Sequence, residues 1–390
     1  MVKNKKNIKE VSVLQVLPHL DSGGLVSGAV EIASALKKSN FTSVVASSGG
    51  YKENEIFRHK TILEKIPVDS KNIFQVIANK NKIIELVRKH KINIIHARSR
   101  APAWSSYWAA KQLSIPLVTT FHGTYGTENF LKKKYNSIML RGEAVIAISE
   151  FIKKHIENEY NYKKKIYVIP RGVNTEIFSP KSVTAARLIS LASKIKVLDD
   201  EKVILMPARL TSWKGHKLAI QAISLIKNKK FKLIIVGDTQ NREKYKNNLI
   251  QLANSLNVQG NIRFVNHTRD MPAFLMYSDI VLSCSTKPEA FGRTVLEAQA
   301  MGRPVVAFNH GGSIELIKDN DNGVLTQVGN IKELANTLSK VLNYSSIERK
   351  KIAKRSIENV KKKYLTETMC VKTINLYKKI LKKNNHLKKY

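Results

Sequence analysis

Residues 280–308 read IVLSCSTKPEAFGRTVLEAQAMGRPVVAF. The stretch opens on one apolar run, IVLSCS (280–285), and closes on another, PVVAF (304–308). Between them lie a loop with Pro288 and Gly292 and a helical segment continuing through Ala298, Gln299, Ala300 and Met301. Apolar runs that do not alternate with polar residues are strands covered on both faces, which means parallel strands joined by crossover helices. The same pattern extends in both directions. Towards the N-terminus the runs are VSVLQVL (11–17), SVVAS (43–47), INIIHA (92–97), LVTTFH (117–122), AVIAIS (144–149) and KIYVIP (165–170). They are followed by VILMPA (203–208), FKLIIVG (231–237) and IRFVN (262–266). Strand character lapses from Asn174 to Asp200, around Ser179, Pro180 and Ser182, with a helix expected over about 183–197. The fold class is therefore α/β, two doubly wound parallel-sheet, Rossmann-like domains. Lysine-rich helical patterns over Lys332–Leu342 and Ile347–Leu381 close the chain.

The bulk numbers fit that reading. A chain of 390 residues, 43% hydrophobic and 25% charged, is long enough for two ordinary cores. Cys284 and Cys370 are the only cysteines, which excludes a disulfide framework and a zinc spacing and fits a reducing cytoplasm. The longest charge-free run, Gln112–Thr127, falls short of the ~18 residues of a membrane span. The basic, apolar start KNKKNIKEVSVLQVLPHL mimics a signal peptide, but it runs into a Gly-Gly loop and reads as a first buried strand. The net charge of +37 is spread over the chain, +15 in residues 1–180 and +22 in residues 181–390. It reads either as compositional bias with solvated lysines or as attraction to an anionic surface, a membrane above all. The last thirteen residues, KKILKKNNHLKKY, place six lysines around Ile380, Leu381 and Leu387, as a membrane-lying helix end or a frayed basic tail would.

Ligands of open parallel sheets lie beyond the carboxyl ends of the strands, so the residues just after each run are the candidates. After IVLSCS come Glu289 and, on the helix, Glu297, with Phe291-Gly292 between them. The free N–H groups of a helix start favour an anion such as a diphosphate, and carboxylates accept from sugar hydroxyls. After VILMPA come Arg209 and Lys214, two cations able to neutralise a phosphate pair, then Gly215 for a close turn into a helix. In the first half, Gly23-Gly24 permit close backbone approach to a ligand. Their loop matches neither the dinucleotide fingerprint nor the Walker spacing. His122 ends its strand, either as a hydrogen-bonding group for a sugar or as a structural histidine. Arg98, Arg100 and Trp104 follow INIIHA, either binding an acidic acceptor or capping and packing a helix.

With those residues in view, the chain resembles the family-4 retaining glycosyltransferases of the GT-B fold over nearly its whole length. The resemblance rests on E-x7-E (Glu289 to Glu297) with Phe291-Gly292 inside it, on ARL-x-x-WKG, and on element order. That order is the Gly-Gly loop, HG, AIS, PRGVN, ARL, VGD, E-x7-E, then GG-x-x-E at Gly311, Gly312 and Glu315. The resemblance implies two domains facing across a cleft: residues 1–178, joined by 364–390 crossing back, on the acceptor side, and 179–363 on the nucleotide-sugar side. It implies that Arg209 and Lys214 hold the donor diphosphate, Glu297 the ribose, and Glu289 with Phe291 and Gly292 the donor sugar. Gly237 of VGD joins the donor site, Gly23 and Gly24 close over the donor, and His122 faces the sugar. The implied donor is a UDP- or GDP-sugar, with no cofactor and no metal, and the leaving phosphate takes the acceptor's proton. The basic surface, with Arg98 and Arg100, points to an acceptor that is a cell-envelope glycan or glycolipid, of lipopolysaccharide type, reached from the cytoplasm or the inner membrane face. Where relatives carry an acidic and a basic residue after Gly-Gly, this chain has Leu25-Val26-Ser27-Gly28, and Asn174 replaces their Asp.

Other readings remain: a nucleotide-sugar epimerase or phosphorylase-like enzyme on the same architecture, an inactive scaffold, or a basic nucleic-acid-binding protein. No helix-turn-helix, aromatic RNA-binding pattern or zinc module supports specific nucleic-acid recognition.

Overall fold

The structure, a computed structural model, describes residues 11–21, 23–266 and 268–384. The chain divides into two compact units, one ending at Arg171 and resuming at Thr366, the other spanning Gly172–Leu365.

The first unit is built on seven parallel strands: β1 Ser12–Val16, β2 Thr42–Ser47, β3 Ile62–Lys65, β4 Ile94–Ala97, β5 Leu117–Phe121, β6 Ala144–Ala147 and β7 Ile166–Val168. Their order is β3-β2-β1-β4-β5-β6-β7. The second unit has six: β8 Lys202–Pro207, β9 Phe231–Val236, β10 Ile262–Val265, β11 Ile280–Ser283, β12 Val305–Phe308 and β13 Val324–Thr326, in the order β10-β9-β8-β11-β12-β13. Both sheets are doubly wound, as the apolar runs lead one to expect. In each, strand order reverses beside the first strand, between β1 and β4 and between β8 and β11. Strands β3 and β13 escaped the sequence reading. Both lie at sheet edges, β3 has no buried residue and carries Glu64 and Lys65, and β13 has three residues. Edge strands are kept short and charged, so they lack a continuous apolar run.

The pattern over Ile347–Leu381 is two helices, Ser346–Lys363 and Thr366–Lys383. The break falls at Tyr364, whose hydroxyl donates to the Glu315 carbonyl (3.0 Å), and at Leu365, which bridges Val173. The final helix buries Met369, Cys370, Ile374, Leu376, Tyr377, Ile380 and Leu381 against Val11, Val13, Ile94, Val118 and Ile146 of the first unit. Ile380 and Leu381 are thus core residues, which corrects their reading as part of a membrane-lying end. Leu387 and the first ten residues lie outside the described part of the chain.

The Tyr377 hydroxyl meets His96 Nδ1 at 2.5 Å, and the other ring nitrogen of His96 meets Thr120 Oγ1 at 2.7 Å. Burial, followed by the Arg98 charge, pushes the His96 pKa well below its usual value, so the ring is neutral. Tyr377→Ala is expected to cost about 3–5 kcal/mol, and Tyr377→Phe, which leaves a buried His nitrogen unpaired, about 1–3 kcal/mol. Urea unfolding measures both, and equal costs would mean the ring is not the anchor of this helix.

Candidate active site at the strand-order reversal

Strands β8 and β11 are neighbours at the reversal of the second sheet, so the loops after them emerge side by side. After β8 the chain passes through Arg209 and a short turn, Ser212–Lys214, into the helix His216–Ser224. Gly215 sits at the join with φ +82, and a Cβ there would lie 1.9 Å from the Cys284 carbonyl oxygen. Only glycine lets the two loops come this close. The Thr286 amide then donates to the Trp213 carbonyl (2.7 Å).

That closeness brings Lys214 onto Glu289. The Lys214 ammonium pairs with Glu289 Oε1 and lies 4.3 Å from the Trp213 ring centroid. The same carboxylate oxygen accepts from Ser285 Oγ (2.6 Å), and the His310 ring nitrogen Nε2 meets the Ser285 carbonyl at 2.7 Å. The backbone of Glu289 is gripped from behind by Gly311-Gly312. The Gly312 amide donates to the Glu289 carbonyl (2.7 Å), and a Cβ at Gly311, φ +61, would sit 2.6 Å from that carbonyl.

Gly292, at φ +95, opens the helix Arg293–Ala300, whose first turn has neither a side-chain cap nor an acidic residue. The amides and dipole of a helix N-terminus favour an anion. Thr294 Oγ1 donates to the Pro207 carbonyl (3.4 Å), tying this helix start to the end of β8. Glu297 accepts from Arg293 Nε (3.1 Å) and Nη2 (3.0 Å), and buried Gln299 anchors the helix to the Leu316 and Asn322 carbonyls. Arg209 is exposed and makes no ion pair among the described residues. Gly237 passes so near it that a Cβ would lie 2.0 Å from the Ala208 carbonyl oxygen and 3.0 Å from the Arg209 amide. Phe291 is buried, with its ring 6.0 Å from that of Tyr364.

In the first unit, exposed Gly23 (φ +122) precedes the helix Gly24–Lys38, and the Gly24 carbonyl accepts from Arg171. His122 follows β5. Its Nε2 is buried without a partner, and burial, then Arg171 and Arg98, pushes its pKa well below the usual value. Arg98 is 1% exposed, donates from Nε to Gln15 (2.7 Å), and fills the reversal between β1 and β4. So deep a position favours the packing alternative, although Nη2 of Arg98 is buried without a partner. Arg100 donates to Asn136 (3.1 Å) and lies 4.5 Å over the Tyr125 ring, and Trp104 stacks on Tyr135 (6.2 Å).

Residues 190–363 match the family described as Glycosyl transferases group 1, and residues 22–177 match Glycosyltransferase Family 4. A glycosyltransferase from Rickettsia africae ESF-5 has a solved structure that is 37% identical, with a TM-score of 0.90, over 96% of this chain and 99% of that one. The chain belongs to the group 1 glycosyltransferases. The alpha-monoglucosyldiacylglycerol synthase of Streptococcus pneumoniae is 27% identical over 63% of this glycosyltransferase, a match spanning 58% of that relative's length. Anabaena HepE, solved with UDP and glucose, shares the fold (TM-score 0.84, 22% identity, 95% of this chain and 100% of that one).

Several residues that shape this glycosyltransferase's site were not singled out in the sequence. Arg293 was legible, since its i,i+4 spacing to Glu297 favours a helix ion pair. Trp213 lies within the WKG motif beside Lys214, but its ring contact was not foreseen; Ser285, four residues before Glu289 in the same loop, and His310, from the loop after β12, are not marked by any spacing. His216 is wholly buried behind Lys214, and burial above all pushes its pKa down to about 4. The folded protein therefore binds fewer protons there than the unfolded chain. The resulting stability is complete above pH ~6.5 and is lost as pH falls towards ~4. Between pH 7 and pH 5 the wild type is expected to lose about 2 kcal/mol more than His216→Gln. Denaturant titrations at the two pH values read this difference, and parallel losses would show that His216 is not buried neutral.

Proposed function

We propose that this glycosyltransferase moves a hexose-type sugar from a UDP- or GDP-sugar to a membrane-held glycolipid or glycan acceptor of the cell envelope, with retention and without a metal. The observation that carries the proposal is the Lys214–Glu289 pair beside the N-terminus of Arg293–Ala300, whose first turn has no acidic residue. A diphosphate set there meets Lys214, Arg209 and the helix amides, which supply the charge stabilisation a leaving phosphate needs. Glu289, steadied by Ser285 Oγ, accepts from hydroxyls of the donor sugar, and Glu297, steadied by Arg293, accepts from the ribose pair. In the first unit, neutral His122 offers an unpaired ring nitrogen to a hydroxyl.

In the reaction the bond from the anomeric carbon to the diphosphate oxygen breaks. The acceptor oxygen attacks the face the diphosphate leaves, and the departing phosphate oxygen takes the acceptor's proton, which preserves the anomeric configuration. UDP bound to HepE and the lipid product named for the streptococcal relative favour a UDP-sugar and a lipid-linked acceptor.

Thermal shift against UDP, GDP and their sugars is the first test, because a ligand that binds only the folded state raises the melting temperature. UDP or GDP is expected to stabilise the wild type, and Lys214→Ala and Arg209→Ala to lose that shift. In transfer assays Lys214→Ala is expected to lower kcat by about 10²-fold or more. A wild type indifferent to every nucleotide would overturn the proposal.

A further inference from the structure

Three neighbouring helices of the first unit turn apolar side chains towards solvent. Ile73–Lys89 buries Val76, Asn79, Ile83 and Val87, yet leaves Ile73, Phe74 (79% exposed) and Ile77 outside. Arg100–Leu113 lies beside it, and Ile77, Lys80, Trp108, Lys111 and Gln112 line one shallow depression between the two. Phe130–Asn136 joins them through Tyr135, which stacks on Trp104, itself 5.7 Å from Trp108. This third helix exposes Phe130 (76%) and Leu131 (77%).

The charged residues among these groups are mostly basic, although Glu85 lies on the first helix and Glu128 just before the third. Arg100–Leu113 and Phe130–Asn136 contain no acidic residue. Lys132 pairs with Glu128, but Lys71, Lys80, Lys111, Lys133 and Lys134 make no ion pair among the described residues. A monomer's surface has scattered apolar residues, but phenylalanines and leucine this exposed on helices linked through Trp104, Trp108 and Tyr135, with lysines on the same helices, mark a contact surface. Apolar groups that insert between acyl chains, with lysines at headgroup level, are the composition of an interfacial membrane anchor.

We propose that this lysine-bearing face of the first unit docks on the surface of an anionic phospholipid bilayer. The inference rests on the membrane-held acceptor proposed above and assigns the docking to this face instead of the chain end, whose Ile380 and Leu381 lie in the core. Aliphatic Ile77 and Leu131 fit an acyl layer better than the stacked bases that an aromatic nucleic-acid platform recognises.

The experiment is flotation of the full chain with phosphatidylcholine vesicles, with and without phosphatidylglycerol. The wild type is expected to float only with the anionic vesicles and to be partly released by salt. Phe74→Asp/Phe130→Asp/Leu131→Asp is expected to lower the bound fraction by about tenfold or more. These positions are solvent-exposed, and an unchanged melting curve and nucleotide-induced shift verify that the variant is folded. Four outcomes overturn the inference: no binding by the wild type, undiminished binding by the triple variant, equal binding to neutral vesicles, or loss of binding on removing residues 385–390 alone. A wild-type dimer on a sizing column that the triple variant disperses would assign the face to a second copy and overturn it too. Nucleotide binding without vesicle binding refutes this inference alone, whereas vesicle binding without any nucleotide shift refutes the transferase reading alone.

Discussion

The close approach of Gly215 to the Cys284 carbonyl governs the second unit's site. Strand-order reversal leaves the ends of β8 and β11 next to each other, but adjacent loops do not by themselves make a site. A side chain at position 215 would hold them apart, because no L residue tolerates a 1.9 Å contact with backbone, and φ +82 disfavours one in any case. With glycine there, the Thr286 amide reaches the Trp213 carbonyl and Lys214 reaches Glu289. Gly311 and Gly312 press the Glu289 loop forward from the other side. Three glycines thus set the position of one ion pair, and backbone contacts are stiffer supports than long side chains would be.

The two units have the same strand order but fill the reversal differently. In the first, Arg98 follows β4, donates to Gln15 of β1, and occupies the space with its own guanidinium. In the second, the corresponding place holds the backbone of Gly215, and the charged groups lie at the rim, where Lys214 and Glu289 keep about a fifth of their surface. A buried cation favours neutral neighbours, and His96 and His122 are both driven neutral partly by Arg98. A rim ion pair, by contrast, keeps its partners exchangeable. The same topology therefore yields an electrostatically fixed interior in one unit and a site able to trade partners in the other.

Much of this was legible in the residues because parallel strands buried on both faces write themselves as unbroken apolar runs. The runs at 203–208 and 280–285 located the reversal, and the glycines and charges after them located Lys214 and Glu289. Strands β3 and β13 were not legible, since edge position removes the apolar run. The break at Tyr364 left no mark in the periodicity, because Lys-rich helices on either side of it share one amphipathic period, and only the family resemblance placed a crossing there. The burial of Arg98 was not legible for a physical reason. Position after a strand predicts exposure at the sheet's end, but only the tertiary partner, Gln15, shows whether the side chain turns outward or back into the sheet. Ser285 and His310 were invisible because hydrogen bonds made by loop residues leave no periodicity.

The ion pair bears directly on the proposed chemistry. A lysine this enclosed, left without a partner, would be poorly solvated, and Glu289 supplies the partner. In the proposed reaction a donor diphosphate would be the stronger competitor, since it carries more charge and would lie at a helix N-terminus. As phosphate draws Lys214 away, Glu289 is left with Ser285 as its donor and gains acceptor capacity for sugar hydroxyls. Phosphate capture and sugar recognition then become one exchange of partners. A nucleoside diphosphate without its sugar would leave Glu289 short of donors in a partly desolvated site, and the intact donor restores them. The preference for the complete donor thus follows from the pair's need to be satisfied at every stage.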